Sequence, residues 1–521
     1  MIIRFVGVVI LGSLFAITAL AQGPCFVQSS NLACVISQEY GAGPAAFSGG
    51  QPKGSFSQVL EPFGGHPIHF SNEFAVTLQP LTAEIGREAN LLPLASPSSG
   101  VVLVYDPSLK TLVTGTDSLG PVLGERAETV GRHHLFIGFS YQFFNFDQLD
   151  GVNLNNFPAV FTHTDDKFDA FPDSCSINGN SLGACGFVRD RIETVNSVNL
   201  KINQYTSYIT FGLTRRMDVS MVIPIENVRM SVSSQDTIVP GTNGDIPVNP
   251  GSPNATLINQ NQTGTNGAPY FFHLFHDCPN TSPATGISGL APNCLQHTFP
   301  DAAFTGNGSS PRNTATGIGD VVARVKWNAW EGERAGFAAG MDIRFPTGDA
   351  LNYLGSGSYG FKPFAVFSYR ARVSPHVLVG YEWNTDSITA GNLVTGGTGS
   401  IPNDFVYTVG ADARVANWLT ADFDIVGQRV FGSQTVAVTP QPFLANCGSC
   451  AADPSPATET RNTLTSISNV SYDVTNASLG IRARPFGHLS RLVLTANVLL
   501  RLDDGGLRSK PVPLVGLGYT F

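Results

Sequence analysis

The chain of 521 residues carries 30 Lys and Arg against 39 Asp and Glu, a formal charge of -9, with only 13% charged residues in all. Nucleic-acid phosphates demand clustered cations, and without a basic run the chain offers no nucleic acid a binding face. The 55 Gly and 35 Phe, with no heptad pattern, fit one large β-structure better than a string of soluble domains.

Residues 1–21 read as a secretory signal peptide: Arg4, an apolar run over 5–20, and the A-x-A site Ala19-Leu20-Ala21. No later stretch reaches the roughly 18 uncharged apolar residues of a spanning helix. Residues 22–131 form an N-terminal segment rich in Gly, Pro and Ser. One helix is expected near 78–92, with Leu81, Ile85 and Ala89 on one face, followed by a hairpin of 101–105 and 111–114 around Asp106-Pro107-Ser108-Leu109. The segment is too long for a leader and too poor in strands for a wall, so a lumen plug and a periplasmic extension both fit it. His66 and His69, in GGHPIHF, have H-x-x-H spacing, but Gly and Pro disfavour the helix that would align them. No metal and no other cofactor is expected.

From about residue 132 onward, segments of ten to fourteen residues alternate apolar and polar positions between turns, the signature of an all-β, antiparallel transmembrane barrel over 132–521. About twelve strands are expected (12–14), at 132–148, 192–214, 217–232, 317–330, 334–346, 359–371, 376–386, 403–415, 417–431, 470–484, 489–502 and 510–521. In the clearest, Asp320, Arg324, Lys326 and Asn328 alternate with Val321, Ala323, Val325, Trp327 and Ala329. Charges on one face cannot point into lipid, which makes Arg324, Lys326, Asp342, Arg344, Lys362, Arg370, Glu382, Asp412, Arg414, Asp422, Asp424, Arg482 and Arg484 the lumen or permeation candidates. Most opposite charges on neighbouring strands are expected to pair with one another rather than to bind a solute.

Connections alternate in length. Short links at 214–216, 330–334, 372–375, 416–417 and 485–489 face long ones at 149–191, 233–316, 347–358, 387–402 and 432–469, as barrels with short periplasmic turns and long outer loops require. The eight cysteines fall as four local pairs, Cys25 with Cys34, Cys175 with Cys185, Cys278 with Cys294 and Cys447 with Cys450, which in an exported chain read as disulfides. Cys447 and Cys450 also have C-x-x-C spacing, but no second ligand pair lies near them.

The closing stretch PVPLVGLGYTF places Val515, Leu517, Tyr519 and Phe521 on one face of a strand and Leu514, Gly516, Gly518 and Thr520 on the other. Ending on Phe521 with Tyr519 two residues before it, the stretch resembles the signal that outer-membrane barrels present to their insertion machinery. GIGDVVARVKWNAW, GMDIRFPTGD and GFKPFAVFSY resemble the bacterial outer-membrane transporters of the phenol-degradation meta-pathway type, within the wider set of barrels that pass fatty acids and aromatic hydrocarbons. GPVLGERAETVGRHH is similar to a recurring N-terminal part of exported barrels of this type. The resemblance implies a Gram-negative outer-membrane location, lipid around the wall, a small hydrophobic or aromatic solute as partner, and both termini in the periplasm. It fixes neither substrate nor oligomeric state. It carries no catalytic motif, and no inward Ser-His pairing suggests an enzyme. A structural or adhesive barrel displaying long loops, or a general porin, is the alternative.

Overall fold

The computed structural model describes residues 31–36, 79–88, 118–162, 191–239, 313–393, 397–444, 458–486 and 491–521, with short strands between them. The signal-peptide reading, His66, His69 and Ala89, and all the cysteines except Cys34, lie outside the described residues.

Twelve staves form one closed antiparallel barrel. They are β1 (Leu135–Leu149), β2 (Arg191–Gly212), β3 (Met217–Val239), β4 (Val321–Glu331), β5 (Ala335–Phe345), β6 (Gly360–Tyr369), β7 (Val373–Asn384), β8 (Asp404–Ala416), β9 (Leu419–Leu444), β10 (Thr458–Ala483), β11 (Leu492–Arg501) and β12 (Val512–Thr520). A lead-in strand, Asn313–Ile318, pairs β3 ahead of β4. Closure falls between the first and last staves, where Phe136 pairs Thr520 and Gln142 pairs Leu514. All backbone groups of a lipid-facing sheet must be satisfied within it, and closure removes the edges that would leave them open.

Period-2 alternation decides which way each residue looks. On β4, Lys326 is buried and Trp327 is 50% exposed; on β8, Asp412 is buried and Val409 is 48% exposed. The last stave keeps the expected parity, with Val515, Leu517, Tyr519 and Phe521 outside and Leu514 and Thr520 buried inside. Ile209, Met221, Val325, Leu479 and Val515 make an apolar band around the outside. Aromatic residues border it: Trp330, Trp418, Tyr369 and Phe521 near the short turns, and Tyr359, Trp383 and Phe405 near the far end. An apolar band between aromatic girdles is what a bilayer selects on a barrel wall.

The short links all join staves at one end, through 213–216, 332–334, 370–372, 417–418 and 484–491, and Phe521 donates its N–H to the Leu135 carbonyl at that same end. Two pairs of staves outgrow the membrane. A crossing needs about 9–11 residues, whereas β9 and β10 run for 26 residues each. The stretch 432–469, expected as a loop, is therefore mostly a continuation of their ladder, from Thr435 opposite Ile467 to Leu444 opposite Thr458. Its Thr, Ser and Val residues favour a strand, but it lacks the lipid-facing apolar band by which a stave is recognised. The ladder shifts register where Gly432 and Asn469 take positive φ, 62° and 60°. Similarly, β3 runs past 232 to Val239, and Phe157–Thr162 pairs β2 within the expected 149–191 loop.

Within the described residues the N-terminal helix α1 spans Gln79–Glu88, with Leu81 and Ile85 buried. The expected hairpin is present as Leu103–Asp106 paired with Thr111–Thr114.

Candidate functional site: the barrel interior

Register alone assembles a charged ladder on the inner wall. Arg324 pairs Asp342 across β4 and β5, and Asp342 pairs Lys362 across β5 and β6. Inward-facing cross-strand neighbours stand close enough for their side chains to meet. Arg324 grips Asp342 in a two-pronged contact of 2.6 and 2.8 Å. Lys362 reaches Asp342 at 3.2 Å and Glu382 at 3.8 Å, and Arg344 continues the chain to Glu382 at 3.1 Å and Asp320 at 3.5 Å. Each charge is thus neutralised by a neighbour, as the mutual-pairing expectation had it.

Residues 118–130 run against this wall as an irregular strap. A buried segment with no ladder of its own must find partners for its backbone groups, and the staves supply them. The N–H groups of Leu119, Val122, Gly124, Ala127 and Val130 donate to Thr420 Oγ1, Asp422 Oδ2, Asp424 Oδ2, Ser368 Oγ and Asp218 Oδ2 over 2.9–3.2 Å. In return Lys326 Nζ donates to the carbonyls of Arg126 and Glu128, Asn328 Nδ2 to that of Ala127, and Arg482 to that of Leu119.

The strap's side chains interlock with the same wall. Glu125 accepts from Arg324 Nη1 and from Lys326 Nζ, both at 2.8 Å. Arg126 pairs with Asp412, which also accepts from Ser118. Ser368 Oγ donates to Glu128 at 3.1 Å. Gly124 has to be glycine, since a Cβ there would stand 2.3 Å from His376 Nε2.

Two more N-terminal pieces meet the barrel at the end opposite the short turns. Gly86 of α1 packs on Tyr353, whose hydroxyl donates to the Thr82 carbonyl at 3.4 Å. Arg87 lies against Glu84 and Glu88, and the Tyr472 hydroxyl donates to Glu84 at 3.0 Å and to Glu88 at 2.6 Å. Burial holds both carboxyls of α1 above their usual range, Glu84 well above it, although Arg87 pulls the other way. The single turn Leu32–Cys34 is buried, with Leu32 N–H donating to Asn352 Oδ1 at 3.1 Å. Cys34, a disulfide candidate, is disulfide-bonded.

Arg324, Lys326, Asp342, Arg344, Lys362, Glu382, Asp412, Asp422, Asp424 and Arg482 are buried or half-buried on the staves, and their partners are the strap, one another or neighbouring polar residues of the wall. Arg370 lies at the short-turn end between Glu128, 3.7 Å away, and Glu331, at 2.9 Å. Arg484 is buried, and Arg414 half-buried, at that end. Sequence reasoning missed the strap residues Ser118, Glu125, Arg126 and Glu128, as well as His376, Tyr472 and the acids of α1. The one available signal was GERAE, three charges inside a Gly/Pro-rich stretch with no helical or strand period.

Solved structures share low-level likeness with this chain. An outer membrane channel from Pseudomonas putida F1 aligns over 76% of this chain and 98% of its own at 11% identity, with a TM-score of 0.36. A Pseudomonas aeruginosa FadL homologue aligns over 81% and 96% at 10% identity, with a TM-score of 0.27. A mutant of TodX, described as a monoaromatic hydrocarbon channel, aligns over 76% and 92% at 8% identity, with a TM-score of 0.22. No curated protein matches the chain. The family model described as "Putative MetA-pathway of phenol degradation" matches residues 244–410, a span that includes the motif-bearing staves β4 to β6, whose motifs resemble transporters of the same pathway type.

Proposed function

We propose that this barrel sits in an outer membrane and passes small hydrophobic or aromatic compounds passively, with the N-terminal segment acting as a plug in its lumen. The observation that carries the reading is the strap: residues 118–130 lie inside a closed wall and occupy its inward hydrogen-bonding groups. A purely structural barrel has no need of a separately held inner segment, and an open porin has no room for one. The family match supplies the solute class, since phenol degradation begins with an aromatic compound entering the cell. The mutually neutralised ladder supports an uncharged solute, because it presents no net field to select ions. The short-turn end, where Phe521 meets Leu135, is the periplasmic side on this reading.

Uptake of phenol by cells with and without the protein, at equal expression, tests the proposal. Faster entry with the protein is expected. If phenol and a medium-chain fatty acid both enter at the background rate while a small sugar enters faster, the general-porin reading replaces it.

A further inference from the structure

Where the strap crosses β7 and β9, three buried side chains converge: His376, Asp422 and Asp424 each offer a ligand atom, all within 4.8 Å of one another. Their outer contacts are already made. Val122 N–H donates to Asp422 Oδ2 and Gly124 N–H to Asp424 Oδ2, both at 3.0 Å. That leaves the Oδ1 atoms. Asp424 Oδ1 stands 2.7 Å from His376 Nε2, while Asp422 Oδ1 is buried without a hydrogen-bond partner among the described residues. A carboxylate oxygen removed from water and left unpartnered is costly, and a buried one next to an imidazole and a second carboxylate is what a cation site presents. The other imidazole nitrogen, Nδ1, lies 3.4 Å from the Ser374 carbonyl, a backbone acceptor that can orient the ring as such acceptors do for metal-bound histidines.

We infer that His376, Asp422 and Asp424 form a site for a divalent transition-metal ion of the zinc class, bound through Nε2 and two carboxylate oxygens. This departs from the expectation of no metal drawn from the sequence, which saw no ligand spacing because the three residues come from two staves. One nitrogen and two oxygens suit zinc or manganese better than calcium, which takes six to eight oxygens. Since the same two aspartates hold the backbone of Val122 and Gly124, the ion would fasten the strap to the wall. The inference is independent of what the barrel conducts.

The test uses the full-length protein folded in detergent, stripped with a chelator and titrated with zinc chloride by calorimetry. One equivalent should bind, and binding should disappear in His376→Ala and in Asp422→Asn. His376→Cys, which supplies a thiolate in place of the imidazole, should retain it. Different gel mobility before and after boiling confirms that each variant is folded. Asp320→Asn, in the other charged cluster, should bind as the parent does. If the folded parent takes up no zinc, or if folded His376→Ala binds as tightly as the parent, the inference is overturned and His376 is a counter-charge to the aspartates. Binding by the Ala variant but not by the Cys variant would also overturn it.

Discussion

Glu125→Gln removes one charge from the strap and changes almost nothing in size, so it isolates what the strap's ion pairs contribute. Its carboxylate is 1% exposed and faces the Lys326 ammonium, also 1% exposed, and the Arg324 guanidinium, 12% exposed. Removing one partner of a buried pair costs about 3–5 kcal/mol, because the other charge is left buried and uncompensated. Lys326 keeps the carbonyls of Arg126 and Glu128, and Arg324 keeps Asp342, so the lower end of the range, about 3 kcal/mol, applies. At about 1.4 kcal/mol per tenfold, the ratio of docked to undocked strap falls roughly a hundredfold. Amide hydrogen exchange in 118–130, read by mass spectrometry on the folded protein, should quicken by that factor, with protection in β4 and β5 retained. Arg429→Gln, which breaks a half-exposed pair with Asp473, should leave the strap's exchange unchanged. Equal exchange in Glu125→Gln and the parent would refute the claim that these ion pairs hold the strap.

Val409→Arg places a cation on the lipid-facing band and should lower refolding stability in vesicles by about 2–4 kcal/mol, measured by urea titration; no loss would mean that Val409 does not face lipid. Tyr472→Phe strips a hydroxyl from Glu84 and Glu88, and exchange over 79–88 should quicken while the barrel's heat-dependent gel shift persists. Both carboxyls of α1 have raised pKa values when docked, so docking is strongest where they are protonated and weakens as pH rises through the raised values. Exchange over 79–88 should therefore accelerate on going from mildly acidic to alkaline pH beyond the intrinsic base-catalysed rate, and slower corrected exchange at high pH would contradict the assignment.

The wall was legible because each stave writes its two environments into alternate residues. Lys326 beside Trp327, or Asp412 two positions from Gly410 and three from Val409, can satisfy lipid and lumen only as strand residues of a fixed parity. Short turns were equally visible, since Glu333-Arg334 or Ala416-Asn417 leave no room for anything but a hairpin. The extensions of β9 and β10 were not, because above the membrane both faces are wet and the apolar band that marks a stave is gone. The strap escaped for another reason. Its structure comes from contacts distant in sequence, Gly124 to Asp424 being 300 positions apart, so no local period records it. The candidate site was therefore half legible: parity put the inward charges in the lumen, but it could not say that Glu125, Arg126 and Glu128 would already be holding several of them.

Single-channel recording tests the central claim most directly. On the proposed plug reading, the full-length protein reconstituted in a planar bilayer should pass small and intermittent current, since twelve staves would otherwise leave a lumen open to a small solute. A variant lacking residues 25–130, shown to be folded by its heat-dependent gel mobility, should conduct steadily at a higher level. If the two proteins give the same conductance and the same dwell times, the segment does not block the path and the account is contradicted.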